Sequence, residues 1–575
     1  MKNTNTKYKL IIAFGLIFFI INACNDLDLA PLSSASTENW YSSDEEFDMS
    51  MNYFYGITYW DQQFSPDWID GWTDDLIWRS QLGTLESGSV DSGTEFIRSL
   101  WSNNYTLIQN ANRVIDKLQN AEGISEEKKK QLIAEAMFHR ASRYSALIFH
   151  WGDVPFYTNV LNVNEAFSLS QRDKYEILQE IYKDFDNAAQ YLPLEYSGFQ
   201  RATKGAALAM KSRIALYMGD YEVARDAAKV CIELGIYELF PKYEDVFAKK
   251  TGLSKEIIFA NPREKEYGVT IGGGSWGLCP RTPGGFQVRS PSWQLLASYL
   301  CTDGLPIDES PLFDPRNPFK NRDPRCTKTI IEFGTEFAGV TYQPHPDSLV
   351  VFNSNTGKNV TNKDSRGNDQ FASFNGLSWR KWMNSEPFDW LGRVADPLNI
   401  VVRYADVLLY YAEAKIELNE IDQSVLDAIN QVRARAYEVE LSSSDYPKVT
   451  STDQSELRKQ LRIERRMEFG FEGMRRYCDL IRWKLADKIM NMWTYGILSS
   501  PVDIREKVVE QGSWFWPDTP PIDEDGIAHF EETEMFSQGR IRRLVKREFP
   551  ERQYLWPIPT SEIQINKNLV QNSGY

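Results

Sequence analysis

The chain has 575 residues, 42% hydrophobic and 25% charged, with a formal net charge of −16. That acidic balance argues against nucleic acid or an anionic lipid surface as a main partner, and the length is ample for a large core or several domains. The four histidines, His139, His150, His345 and His529, stand apart without zinc-type spacing, so no metal centre and no cofactor is expected.

At the N-terminus Lys2, Lys7 and Lys9 precede an apolar run over residues 10–21, which ends at Asn22, Ala23 and Cys24. This is the pattern of an export signal. The run is shorter than the roughly twenty apolar residues that a spanning helix needs. A small residue before Cys24 is similar to a lipobox, so residues 1–23 are expected to be removed and the Cys24 thiol acylated. Asn22 departs from that pattern, and an ordinary secreted protein with a chance cysteine is the alternative. Loss of three lysines takes the net charge from −16 to −19. Residues 24–36 are polar and contain Pro31, as a tether from lipid to body requires.

The body, residues 37–575, opens with helical patterning over residues 101–115, 126–151, 175–191, 203–217 and 221–234. Ala206, Met210, Ile214 and Tyr217 share one face, Gly219 and Asp220 interrupt it, and Ala224, Ala228 and Ile232 resume it. That is a helix hairpin with small residues at the crossing, as in tetratricopeptide-like pairs. A second helical block covers residues 403–418, 422–436 and 455–471. The scaffold is therefore expected over about residues 37–250 and 400–490. Between them, residues 252–397 shift to Gly, Pro, Asn, Ser and aromatics, and residues 491–575 form a further irregular segment. An insertion of that length is expected to form a subdomain or carry function. Cys231, Cys279, Cys301, Cys326 and Cys478 are odd in number, so no disulfide framework is implied. One bridge among Cys279, Cys301 and Cys326 and a set of buried thiols are the two readings.

Ordered motifs then mark the whole body. They are Asn110-Ala-Asn112, Ala134-Glu135-Ala136 with Arg140, Trp151-Gly152-Asp153, Arg201-Ala-Thr203-Lys204-Gly205, Asn321-Arg322-Asp323-Pro324-Arg325, Arg403-Tyr404-Ala405-Asp406, Glu464-Arg465-Arg466 with Glu468, Asp479-Leu480-Ile481-Arg482-Trp483, and Trp556-Pro557 near the end. In this order they resemble the SusD/RagB family of outer-membrane nutrient-binding lipoproteins. The resemblance implies an all-α fold of four tetratricopeptide-like helix pairs with a loop-rich ligand region. It also implies an extracellular, lipid-anchored position beside a SusC-like TonB-dependent transporter, and binding of oligosaccharide or polysaccharide without chemistry. Arg403, Asp406, Glu413, Arg433, Glu464, Arg465 and Arg482 fall among apolar helical positions, where buried ion pairs would set helix register.

A sugar site needs an aromatic plane for the pyranose C–H face and charged or amide groups for the hydroxyl rim. Residues 68–79 interleave Trp68, Trp72 and Trp78 with Asp70, Asp74, Asp75 and Arg79; as a helix they would put Trp68 and Trp72 on one face, with Asp75 close by. Trp276, Phe286 and Trp293, in or beside the Gly-rich loops, form a second candidate platform, and Trp379, Arg380 and Trp382 a third wall. Two other functions remain open at this level: a helical scaffold that binds only protein, and a glycoside hydrolase, which would need a carboxylate pair at fixed separation.

Overall fold

The computed structural model describes residues 41, 43–56, 69–79, 81–196, 201–248 and 254–575. The expected signal, the lipidation site Cys24, the tether and Trp68 all lie outside them. The protein is all-α in architecture, with small antiparallel sheets in its irregular part. No helix among the described residues is long and apolar enough to cross a membrane.

After a short helix α1 (Asp44–Asn52) come α2 (Glu95–Gln119), α3 (Glu126–Trp151), α4 (Lys174–Tyr191), α5 (Lys204–Met218) and α6 (Tyr221–Glu233). Helix α1 lies on α3; from α2 onward each helix packs on its neighbour in sequence, and α2 shows why. Ile97, Leu100, Trp101, Leu107, Ile108, Ala111 and Val114 recur at helical spacing and are buried. Start and stop signals are local: Ser125 caps α3 by accepting from the Lys128 amide at 3.2 Å, and Gly152 ends it at φ 78°. At the α5–α6 hairpin, Gly219 turns the chain at φ 81° and Asp220 caps the next helix. Buried Ala206, Ala207 and Ala209 permit close approach on α5, and Ser212 Oγ donates to the Ala224 carbonyl of α6 at 2.8 Å.

The second block, α7 (Tyr404–Glu417), α8 (Gln423–Ala436), α9 (Gln454–Phe469) and α10 (Arg475–Arg482), joins the first where α7 packs on α6 and α5. Its core carries charge. Arg403 donates to Glu256 at 2.7 Å, Glu468 at 2.6 Å and Glu472 at 2.7 Å, all buried. Arg325 from the irregular region reaches Asp323, Glu464 and Glu468. Arg433 pairs with Glu464, Arg475 with Asp406, Arg465 with Asp479, and Arg482 with Glu413. The signature residues are thus a buried ion-pair lattice that fixes how α7, α8, α9 and α10 sit.

Residues 252–397 are less loop-like than their composition suggests. Strand β2 (Ile257–Asn261) pairs antiparallel with β4 (Asn399–Arg403), and β1 (Leu76–Trp78) pairs with β3 (Arg289–Pro291). A four-stranded antiparallel sheet occupies Glu336–Phe337, Val340–Thr341, Val350–Asn353 and Lys358–Thr361. Residues of this region share one hydrophobic core with Tyr495, Phe515, Trp516, Phe530 and Ile541, so the expected insertion joins the first part of the C-terminal irregular segment, whereas Phe549, Trp556, Ile558 and Leu569 join the helical core. All five described cysteines are buried free thiols, and no bridge joins Cys279, Cys301 and Cys326.

Candidate functional site

Much of the expected platform is interior. Residues 69–79 are not one helix: a 3-10 turn over Ile69–Trp72 leads into β1, and the chain in between turns inward. Trp72 is 5% exposed and packs edge-on against Trp556 and Tyr477. Asp74 and Asp75 are buried and bind Arg466, and Asp74 also binds Arg476. Trp293 is 2% exposed, its Nε1 donating to the Asn375 carbonyl at 2.8 Å and its ring enclosed by Phe515, Trp516 and Phe530. Trp382 donates to the Phe471 carbonyl at 2.8 Å, and Trp379 stacks on the Phe471 ring at 3.8 Å. Arg380 is half-buried on the same segment, its amide donating to the Thr329 carbonyl at 2.9 Å. Trp72, Asp74, Asp75, Trp293, Trp379 and Trp382 are core, because each finds partners from distant segments that neighbours in sequence do not reveal.

Three expected residues, Arg79, Trp276 and Phe286, do reach one surface, and Trp78 stands beside it, packed against the core. Trp78 ends β1 opposite Arg289, whose guanidinium lies 4.3 Å from the Trp78 ring centroid, so that ring is half-buried under a cation. Arg79 follows, its amide donating to the Val288 carbonyl at 3.1 Å and its guanidinium to the Phe286 carbonyl. Trp276 and Phe286 stack at 4.2 Å between centroids, and the Arg393 guanidinium sits 4.1 Å from the Trp276 centroid.

The glycine-rich loop makes this geometry. A Cβ at position 285 would stand 2.3 Å from the Cys279 carbonyl oxygen and 2.4 Å from that of Pro280, so only glycine fits the turn that lifts Phe286. Next to it Gln287 is buried and donates to Tyr342 Oη at 3.1 Å and to the Leu377 carbonyl at 3.2 Å. Phe286 thus stands 41% exposed on a fixed base.

Phe371, Arg281 and Asp369 complete the surface, and none of them is marked by the sequence. Phe371 is 48% exposed. The Arg79 guanidinium lies 5.4 Å from both the Phe286 and Phe371 centroids, and that of Arg281 lies 5.8 and 5.6 Å from them, so two cations sit between two open rings. Asp369 pairs with Arg281 at 2.7 Å and accepts from the Phe371 amide at 2.8 Å. Asp364 accepts from the amides of Arg281 and Thr282, tying the two loops together. Burial, helped by the Arg281 charge, lowers the Arg79 pKa. The two carboxylates closest to the rings are therefore committed, one to a guanidinium and one to backbone amides. Their arrangement suits binding of a flat polar ligand. Elsewhere, Glu386, Asp389 and Asp396 bring three carboxylates together, but Lys265 occupies that cluster, its Nζ on Asp389 at 2.5 Å and its amide on Asp396 at 2.8 Å.

A helical-hairpin scaffold that carries an aromatic and arginine surface on irregular connections defines a recognition protein. This chain belongs to the SusD family, whose family model matches residues 255–575. A second family model, described as starch-binding associating with outer membrane, matches residues 33–216. Among curated relatives, a SusD-like protein of Formosa agariphila is 25% identical over 87% of this chain and 94% of its own length. One of Bacteroides ovatus is 26% identical over 91% and 88%. A solved SusD-like carbohydrate binding protein from Bacteroides fragilis is 28% identical, with a TM-score of 0.74 over 92% of this chain and 99% of its own. Surface glycan-binding protein A from Bacteroides fluxus, 20% identical with a TM-score of 0.61 over 93% and 100%, shares the fold.

Proposed function

We propose that this protein binds oligosaccharide or polysaccharide at the cell surface and passes it unaltered to a SusC-like TonB-dependent transporter, held to the outer membrane by a lipid on Cys24. The observation that carries the reading is the pair of open rings, Phe286 and Phe371, with Arg79 and Arg281 between them. Rings cover the C–H faces of pyranoses, and guanidiniums donate to hydroxyls and ring oxygens at the rim. Membership of the SusD family, the starch-binding description of the second family model and the carbohydrate-binding relative from Bacteroides fragilis all support it. Trp68, which precedes the described part of this segment, and Trp276, reached once Arg393 moves aside, are the proposed extensions of the surface.

The test is a glycan screen on the soluble chain that starts after Ser36, repeated with Phe286→Ala and Phe371→Ala. Each variant should weaken binding by about 1–3 kcal/mol through lost stacking and apolar burial, with little change in melting temperature. Unchanged affinity in both folded variants would remove this surface from the site. No binding to any glycan together with copurification with a transporter would favour a protein-binding scaffold, and new reducing ends in the polysaccharide would mean hydrolysis.

A further inference from the structure

We infer that the sugar chain held by this surface is anionic, bearing carboxylate or sulfate groups; the inference rests on the surface being the glycan site. The rings come with an excess of guanidinium. Arg79 and Arg281 flank both Phe286 and Phe371, and one ring further along Arg366 and Arg542 lie 5.0 and 5.2 Å from the Phe374 centroid. Against these four cations stand two carboxylates, Asp369 on Arg281 and Asp364 buried beneath the Arg281 and Thr282 amides. Among the described residues, Arg79, Arg366 and Arg542 have no carboxylate partner and donate to backbone carbonyls instead, those of Phe286, of Gln370 and Ser499, and of Ile497. Arg79 Nε, Arg366 Nε and Arg542 Nη2 are buried without a hydrogen-bond partner among those residues.

A neutral sugar has no use for such crowding. Like charges brought together cost free energy: burial first, and then Arg281 beside Arg79 and Arg542 and Arg79 around Arg366, lower the proton affinity of Arg79 and Arg366, and Asp369 offsets this only in part. An anionic ligand relieves that cost, and the planar fork of arginine matches carboxylate and sulfate in two-point contact. The rest of the chain works the other way: at a net charge of −16 it repels polyanions at long range, so attraction must come from this local excess and be lost with it.

The test uses the full mature chain and pairs of polymers that differ in charge. Dextran sulfate is compared with dextran for sulfate, and polygalacturonate with amylopectin for carboxylate, by titration calorimetry. The anionic member of at least one pair should bind about tenfold or more tighter. Its affinity should fall several-fold as salt rises from about 50 to about 300 mM, since a partly exposed ion contact is screened over that range. The double variant Arg79→Gln/Arg281→Gln should lose the preference for the charged polymer. Because salt dependence is read on the unaltered protein, the conclusion does not hang on that variant folding. Neutral polymer bound as tightly, insensitive to salt yet weakened by Phe371→Ala, would overturn the anionic ligand and leave the glycan site standing. No polymer bound, charged or neutral, would overturn the glycan site itself.

Discussion

Replacing Asp74 by asparagine separates two roles that look alike in sequence. Asp74 accepts from Arg466 Nη2 at 2.7 Å, from Arg476 Nε at 2.9 Å and from Arg476 Nη2 at 3.0 Å, with all three side chains buried. Burial by itself would push the Asp74 carboxyl up, but Arg466 and Arg476 together hold it well below the usual carboxylate range. Asparagine keeps the shape and one acceptor oxygen while removing the charge. Arg466 retains Asp75, whereas Arg476 loses its ion-pair partner and stays buried. Removing one member of a buried pair costs about 3–5 kcal/mol, so Asp74→Asn should lose about 3 kcal/mol and Asp74→Ala about 5. Guanidinium chloride denaturation followed by tryptophan fluorescence measures the loss, and glycan titration on the folded protein measures binding. The expected result is a lower unfolding midpoint with unchanged affinity. A variant as stable as the parent that no longer binds glycan would return Asp74 to the ligand and refute the assignment of this segment to the core.

Trp293→Ala empties a site enclosed by Phe515, Trp516 and Phe530 and should cost about 3–5 kcal/mol in stability, read by the same denaturation. Burial raises the Glu468 and Asp406 carboxyls, yet Arg435 and Arg403 around Glu468, and Arg475 beside Asp406, outweigh it and leave both lowered. Carboxylates depressed in the folded state contribute stability above their unfolded value near about 4 and lose it as pH falls, so melting temperature should drop steadily below about pH 4. Glu86 has the opposite sign: burial pushes its carboxyl up to about 7. Between its unfolded value of about 4.3 and pH 7 its ionisation favours the unfolded chain, and Glu86→Gln should therefore raise the melting temperature at pH 8 more than at pH 5. Burial likewise pushes the Cys231, Cys279, Cys326 and Cys478 thiols up to about 12, so iodoacetamide at pH 8 should label none of them until the protein is denatured; labelling of the native chain would contradict their placement.

The helices were legible because their signals are local: the face shared by Ala206, Met210, Ile214 and Tyr217 and the Gly219 stop lie within a few turns of what they control, whereas the helix expected over residues 101–115 runs further, from Glu95 to Gln119. The ion pairs were legible in part, since charged residues inside an apolar stripe must find partners, although which partner, such as Arg325 for Glu464, is set by packing between segments. The site was harder. A tryptophan has the same composition signal whether it faces a ligand or a core, and what buries Trp293 comes from more than 200 residues further along. Phe371 and Arg281 were missed for the same reason in reverse: the ties from Asp364 to Arg281 and Thr282 and from Asp369 to Arg281, which bring their loops to one surface, join segments more than 80 residues apart.

The single core shared by residues 257–400 and 495–541 sets the unit that can be exchanged between relatives. Grafting residues 252–397 from another member of the family onto this scaffold would cut that core through Trp293, which packs on Trp516 and Phe530. A transplantable recognition module must carry both stretches together with residues 76–79, with the Arg325 end of the ion-pair lattice matched to Glu464 and Glu468 of the recipient.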